Sequence, residues 1–103
     1  MTRADPPPIG PDSTPAISPV FRLQFEPAQD AWVLLFPEGM LKLNQSAAEI
    51  LRRCDGRQPV SAITADLERA FEQQGLLDDV LAFLAMARKE RWITVTDPGA
   101  SGG

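Results

Sequence analysis

Residues 41–56, LKLNQSAAEILRRCDG, constrain the fold more than any other part of the chain. Ala47, Ile50, Leu51 and Cys54 recur at i, i+3, i+4 and i+7, a spacing that predicts a short helix with one apolar stripe. Two start signals compete. Asn44 is a good N-cap, while Ser46-Ala47-Ala48-Glu49 fits a capping box, in which Ser and Glu each satisfy the other's backbone N–H. Gly56 is the expected stop, because glycine takes the left-handed C′ conformation without a Cβ clash. Just before the helix, Met40-Leu41-Lys42-Leu43 predicts a strand that enters it almost directly. A strand and a helix joined this tightly leave a groove between them, which makes the groove the candidate working surface.

The segments upstream predict two more strands. Phe21, Leu23 and Phe25 alternate with Arg22, Gln24 and Glu26, the two-residue period of a half-buried strand. After the turn Pro27-Ala28-Gln29-Asp30, the continuous apolar run Trp32-Val33-Leu34-Leu35-Phe36 fits a strand flanked within a sheet. Pro37-Glu38-Gly39 supplies a second tight turn, with Pro presetting φ. The expected result is a three-stranded antiparallel meander whose third strand, Met40 to Leu43, is an edge.

Two further helices follow. Val60, Ile63, Leu67, Ala70 and Phe71 lie at helical spacing, with Ser61 the expected cap. Beyond Gly75, Asp78 is the expected cap of a third helix. Its stripe is Val80, Phe83, Leu84 and Ala87, with Leu77, Leu81 and Arg88 on the adjoining face. Arg88, Lys89 and Arg91 sit where cations favour a helix C-terminus. Trp92-Ile93-Thr94-Val95 predicts a short extended piece. Strands followed by helices make an α+β domain.

Six prolines precede Val20, and the chain closes on Asp97-Pro98-Gly99-Ala100-Ser101-Gly102-Gly103. Residues 1–19 and 97–103 are therefore expected to be disordered tails, since neither carries enough apolar surface to offset the entropy of ordering. The folded domain is expected over residues 20–96. There is no apolar run of about 7–15 residues at the N-terminus to mark a signal peptide, nor one of ~20 to span a membrane. A cytoplasmic protein without membrane association is the expectation.

Catalysis is disfavoured. The chain has no histidine and no tyrosine, and its one cysteine lies on an apolar stripe near a helix C-terminus, which raises a thiol pKa. No catalytic residue, metal site or cofactor is expected. The net charge of −4 argues against a nucleic-acid partner. A winged-helix DNA-binding regulator is the structural rival, with the last two helices as a helix-turn-helix and the strands as a wing. Its recognition helix, however, would lead with Leu77, Asp78 and Asp79, and the two carboxylates repel phosphates. The bare third strand instead suits an extended peptide adding as a further strand. A homodimer through the same edge, or the proline-rich tail covering it, are the alternative occupants.

In order and spacing, Leu34-Leu35-Phe36-Pro37-Glu38-Gly39, Leu43-Asn44-Gln45-Ser46-Ala47-Ala48-Glu49-Ile50-Leu51, Cys54-Asp55-Gly56, Asp79-Val80 with Phe83-Leu84, and Trp92 resemble the PqqD family. The resemblance runs from Phe21 to Ile93. Arg91 departs from it where glycine is expected, which leaves open how the third helix ends. The resemblance implies a winged-helix-like RiPP recognition element without catalytic activity. It would bind the ribosomal precursor peptide PqqA and present it to PqqE, a radical S-adenosylmethionine enzyme of pyrroloquinoline quinone biosynthesis. It also implies that the peptide pairs with the third strand, at Met40, Leu41, Lys42 and Leu43, and lies against the third helix. The candidates for that helical wall are Leu81, Leu84, Ala87 and Arg88, with Arg88 placed to meet an acidic side chain.

Overall fold

A computed structural model describes residues 7–98. In chain order the elements are β1 (Thr14–Ile17), β2 (Arg22–Glu26), β3 (Ala31–Phe36), β4 (Gly39–Lys42), α1 (Gln45–Arg52), α2 (Val60–Phe71), α3 (Leu77–Lys89) and β5 (Ile93–Thr96). The expected meander forms as an antiparallel sheet in the order β2-β3-β4, followed by the three helices. Leu23, Leu34 and Leu41 stand across from one another, as do Gln24, Val33 and Lys42. The leucine row faces the helices because a strand sends alternate side chains to opposite faces. α1 packs against β3, and α2 against α3. Leu34, Leu51, Val60, Ile63, Val80 and Leu84 are wholly buried.

Asn44 settles the competition at the start of α1, its Oδ1 accepting from the N–H of Ala47 at 2.8 Å. Gly56 does not stop this helix, which ends at Arg52 with Arg53 as its C-cap. Gly56 has φ +77 and donates its N–H to the Pro15 carbonyl at 3.0 Å; a Cβ there would come within 3.2 Å of Ala16 Cβ. Its glycine serves the close approach of a second chain segment.

That segment is the main correction to the sequence reading. Residues 9–17, expected to be disordered, are built into the domain. β1 pairs antiparallel with β5, Thr14 opposite Thr96 and Ile17 opposite Ile93. On its other side Ile17 N–H donates to the Cys54 carbonyl at 3.2 Å. Ile9, Ser13 and Pro15 are buried. The C-terminal boundary moves as well, because Asp97 accepts a hydrogen bond from Ser13 Oγ. Of the two expected tails, residues 1–6 and 99–103 lie outside the described residues.

The N-terminal segment also explains how α2 begins. Neither Ser61 nor any other side chain caps it, and Pro59 occupies the N-cap position. The N–H groups of Val60 and Ser61 donate instead to the carbonyls of Ser13 and Pro11, at 2.8 and 2.9 Å. Main-chain carbonyls thus satisfy two of the donors that a helix start leaves without intrahelical partners.

α2 and α3 both end on a non-glycine residue in the left-handed conformation. After α2, Glu72 has φ 51, and Gln73 N–H reaches the Glu68 carbonyl at 3.0 Å. After α3, Arg91 has φ 66; Trp92 N–H donates to the Ala87 carbonyl and Arg91 N–H to that of Arg88, each at 2.9 Å. This pairing is a Schellman motif with Arg91 at C′, which answers how the third helix ends without glycine. At the other end of α3, Leu76 and not Asp78 is the N-cap; Leu76 N–H is held by Glu68 Oε2 at 3.0 Å. Asp78 and Asp79 lie in the first turn, where they complement the helix dipole.

Candidate functional site

β4 is bonded to β3 alone, so its outer side is a free sheet edge among the described residues. One hydrogen bond sets the phase of the ladder. Leu43 N–H donates to the Trp32 carbonyl at 2.9 Å, so residue 43 turns its main-chain groups toward β3. These groups alternate sides along an antiparallel strand, so Leu41 also points to β3. Met40 and Lys42 point the other way. Of the four candidate residues on this strand, two therefore present both N–H and C=O outward, and the other two hold the sheet together.

The side chains alternate in the same way. Leu43 is buried and Leu41 half-buried, both on the core side, while Met40 and Lys42 are exposed. The expected helical wall divides into two groups. Leu84 and Ala87 have no exposed surface and belong to the same buried cluster as Leu43. As placed in this fold they are core, because the stripe they form with Val80 is the one α3 turns inward. Leu81 is half-buried and packs against that cluster with Leu41. Arg88 is half-buried too, and its guanidinium donates to the Pro7 carbonyl at 3.0 Å. Of the expected wall, Leu81 and Arg88 thus keep some surface, in one half-buried row with Leu77.

A surface hollow of about 440 Å³ continues from the end of β4, between Lys42, Leu43 and Asn44 on one side and Phe25, Trp32 and Glu49 on the other. Its aromatic wall is built, since Phe25 and Trp32 meet edge to face at 5.7 Å and Arg52 lies 4.9 Å over the Trp32 ring. The sequence reading did not single out Phe25 and Trp32, because a strand accounts fully for the alternation around Phe25 and for the apolar run that Trp32 begins. A second hollow of about 340 Å³ lies among the helices, floored by Ile50, Leu67 and Val80 and bordered by Phe71. Phe71 is 39% exposed, so the apolar stripe expected of α2 stops short of it.

Charge around α1 is paired. Arg53 bridges Glu49 at 2.8 Å and Asp66 of α2, and Arg52 also meets Glu49 at 3.2 Å. The hydrogen bond and charge of Arg53 hold the Asp66 carboxyl below the usual carboxylate range. Cys54 is buried, and desolvation, with the neighbouring Asp55 charge, pushes its thiol up to about 12. A neutral buried thiol is a core side chain, not a nucleophile. Among the described residues no cluster of His, Cys, Asp and Glu is placed to hold a metal ion. No helix among them is long and apolar enough to cross a membrane.

Known proteins resemble this chain over nearly the whole of this arrangement. The family model for coenzyme PQQ synthesis protein D (PqqD) matches residues 31–93. A PqqA binding protein of Pseudomonas aeruginosa is 55% identical over 83 residues, covering 80% of this chain and 90% of that protein. A PqqA binding protein of Klebsiella pneumoniae is 51% identical over 79 residues, covering 76% of this chain and 86% of that protein. The solution NMR structure of the PqqD truncation of Methylobacterium extorquens PqqCD superposes with a TM-score of 0.65 at 29% identity, covering 78% of this chain and 87% of that one. That truncation is described as a functional, stand-alone RiPP recognition element.

Proposed function

This chain belongs to the PqqD family, and we propose that it is the cytoplasmic chaperone that binds the precursor peptide PqqA and presents it to the radical S-adenosylmethionine enzyme PqqE. As a PqqD-family protein it binds and does not catalyse. The peptide adds as a strand to β4, exchanging main-chain hydrogen bonds with Met40 and Lys42. Leu81 and Arg88 supply contacts from α3, Arg88 once it releases the Pro7 carbonyl. The observation that carries this reading is the outward phase of Met40 and Lys42 on a free edge. The names of the P. aeruginosa and K. pneumoniae relatives support the same peptide.

Backbone amide shifts of isotope-labelled protein, followed during titration with synthetic PqqA, test the proposal. Saturable shifts should be larger at the Met40 and Lys42 N–H groups than at those of Leu41 and Leu43. Shifts elsewhere with β4 silent would overturn strand addition at this edge. A DNA duplex serves as control, and salt-sensitive shifts with it alone would revive the winged-helix regulator. The exposed Asp78 and Asp79 in the first turn of α3 speak against that outcome.

A further inference from the structure

Another part of the same chain already touches the proposed helical wall. Arg88 Nη1 donates to the Pro7 carbonyl at 3.0 Å, a bond between residues 81 positions apart. Leu77, Leu81 and Arg88 fall within about 40° of one another around α3, and Arg88 lies about 10 Å beyond Leu81 along the axis. An extended peptide following this row covers that distance in roughly three residues and meets the N-terminal segment at its end.

That segment is fixed at one end and loose at the other. Ile9 is buried in the core cluster. Ser13 holds the turn before β1, its N–H donating to the Gly10 carbonyl and its Oγ accepting from the Gly10 N–H, each at 3.0 Å. Pro7 and Pro8, by contrast, are exposed, so their release uncovers little buried surface. Two prolines in succession have few backbone conformations, so a carbonyl two residues from a fixed anchor stays near Arg88 at little entropic cost. Among the described residues the guanidinium meets that neutral oxygen and no carboxylate.

We propose, on the reading that the peptide lies along α3, that the N-terminal segment is a built-in competitor for it. The Pro7 carbonyl stands where an acidic side chain of the peptide binds Arg88, and the peptide gains that contact only by displacing it. A carboxylate bonded end-on takes both terminal guanidinium nitrogens, one of which Pro7 holds. Its charge-assisted bonds are about twice as strong as those of a neutral carbonyl, so an acidic peptide opens the contact. A peptide offering only neutral oxygens there exchanges one weak bond for another. The closed segment lowers peptide affinity by the fraction of molecules in which Arg88 is occupied, and it returns to Arg88 when the peptide leaves.

Pro7→Gly combined with Pro8→Gly in the full chain keeps the carbonyl but loosens the segment that presents it. In calorimetric titration this variant should bind synthetic PqqA roughly fivefold more tightly than the parent. In an Arg88→Ala background the same two glycines should change nothing. In the parent, PqqA should shift the amide of Ile9, the first N–H after the two prolines. If Arg88→Ala weakens PqqA binding while the glycines leave it unchanged or weaken it, the competitor is overturned and the peptide site stands. Binding indifferent to Arg88→Ala, or absent altogether, would remove the α3 contact itself and the proposal with it. Saturable binding that leaves the Ile9 amide unmoved would place segment and peptide side by side on Arg88, and overturn it too.

Discussion

The carbonyl oxygen of Ser13 accepts a hydrogen bond from the N–H of Val60 at 2.8 Å, joining residues 47 positions apart at the first turn of α2. The proline-rich leader is thereby the cap of a central helix. Deleting residues 1–17 should cost roughly 2–5 kcal/mol, from two lost capping bonds and the burial of Ile9 and Pro15. Urea unfolding of the shortened chain checks this. An unchanged midpoint would show that the leader is dispensable.

Strand phase separates two proline substitutions that sequence alone treats as equivalent. Lys42→Pro removes an outward N–H on an edge strand, so the protein should stay folded. Its affinity for PqqA should fall about fivefold or more, the equivalent of one hydrogen bond of ~1 kcal/mol. Leu41→Pro removes an N–H that faces β3 and should lower folding stability itself, by about 1–3 kcal/mol. Calorimetric titration and urea melts of both variants distinguish the two effects. Equal peptide affinity for Lys42→Pro and the parent would rule out strand addition at β4.

Arg91 holds φ 66 at the end of α3, a conformation that costs a non-glycine residue roughly 1 kcal/mol or more. Arg91→Gly should raise stability by about 0.5–1 kcal/mol, the gain being reduced by glycine's greater freedom in the unfolded chain. Arg91→Ala should be nearly neutral, since alanine keeps the Cβ. Comparing the denaturation midpoints of the two variants tests the assignment of the Schellman motif.

Burial of Cys54 has a pH signature. Its thiol is raised from 9.0 to about 12, so above pH 9 the unfolded chain loses this proton while the folded chain keeps it. The unfolded state then binds fewer protons, and stability falls as pH rises from about 9 to about 12. At neutral pH the group is protonated in both states and contributes no slope. Cys54→Ala should flatten the alkaline limb of the stability profile. In the folded parent, iodoacetamide at pH 8 should leave the thiol unmodified until denaturant is added.

Local patterns make much of this architecture legible in the sequence alone. The alternation of Phe21 to Glu26, the apolar run to Phe36 and the stripe from Ala47 to Cys54 each report contacts within one element. A strand or helix repeats them along its own length, which is why the meander, the three helices and the edge position of β4 follow from spacing. Residue order and spacing also sufficed to point to the PqqD family.

The tertiary structure decided whatever depends on main-chain groups meeting across the chain. A carbonyl is the same in every residue, so no side chain announces that Ser13 and Pro11 cap α2 or that Gly56 makes room for Ala16. The free edge at Met40 and Lys42 likewise depends on ladder phase, which one bond between Leu43 and Trp32 sets. Whether Leu84 and Leu81 face core or surface was undecidable from a helix apolar on two adjoining faces. Only the position of its neighbours turns one row inward and leaves the other at the surface.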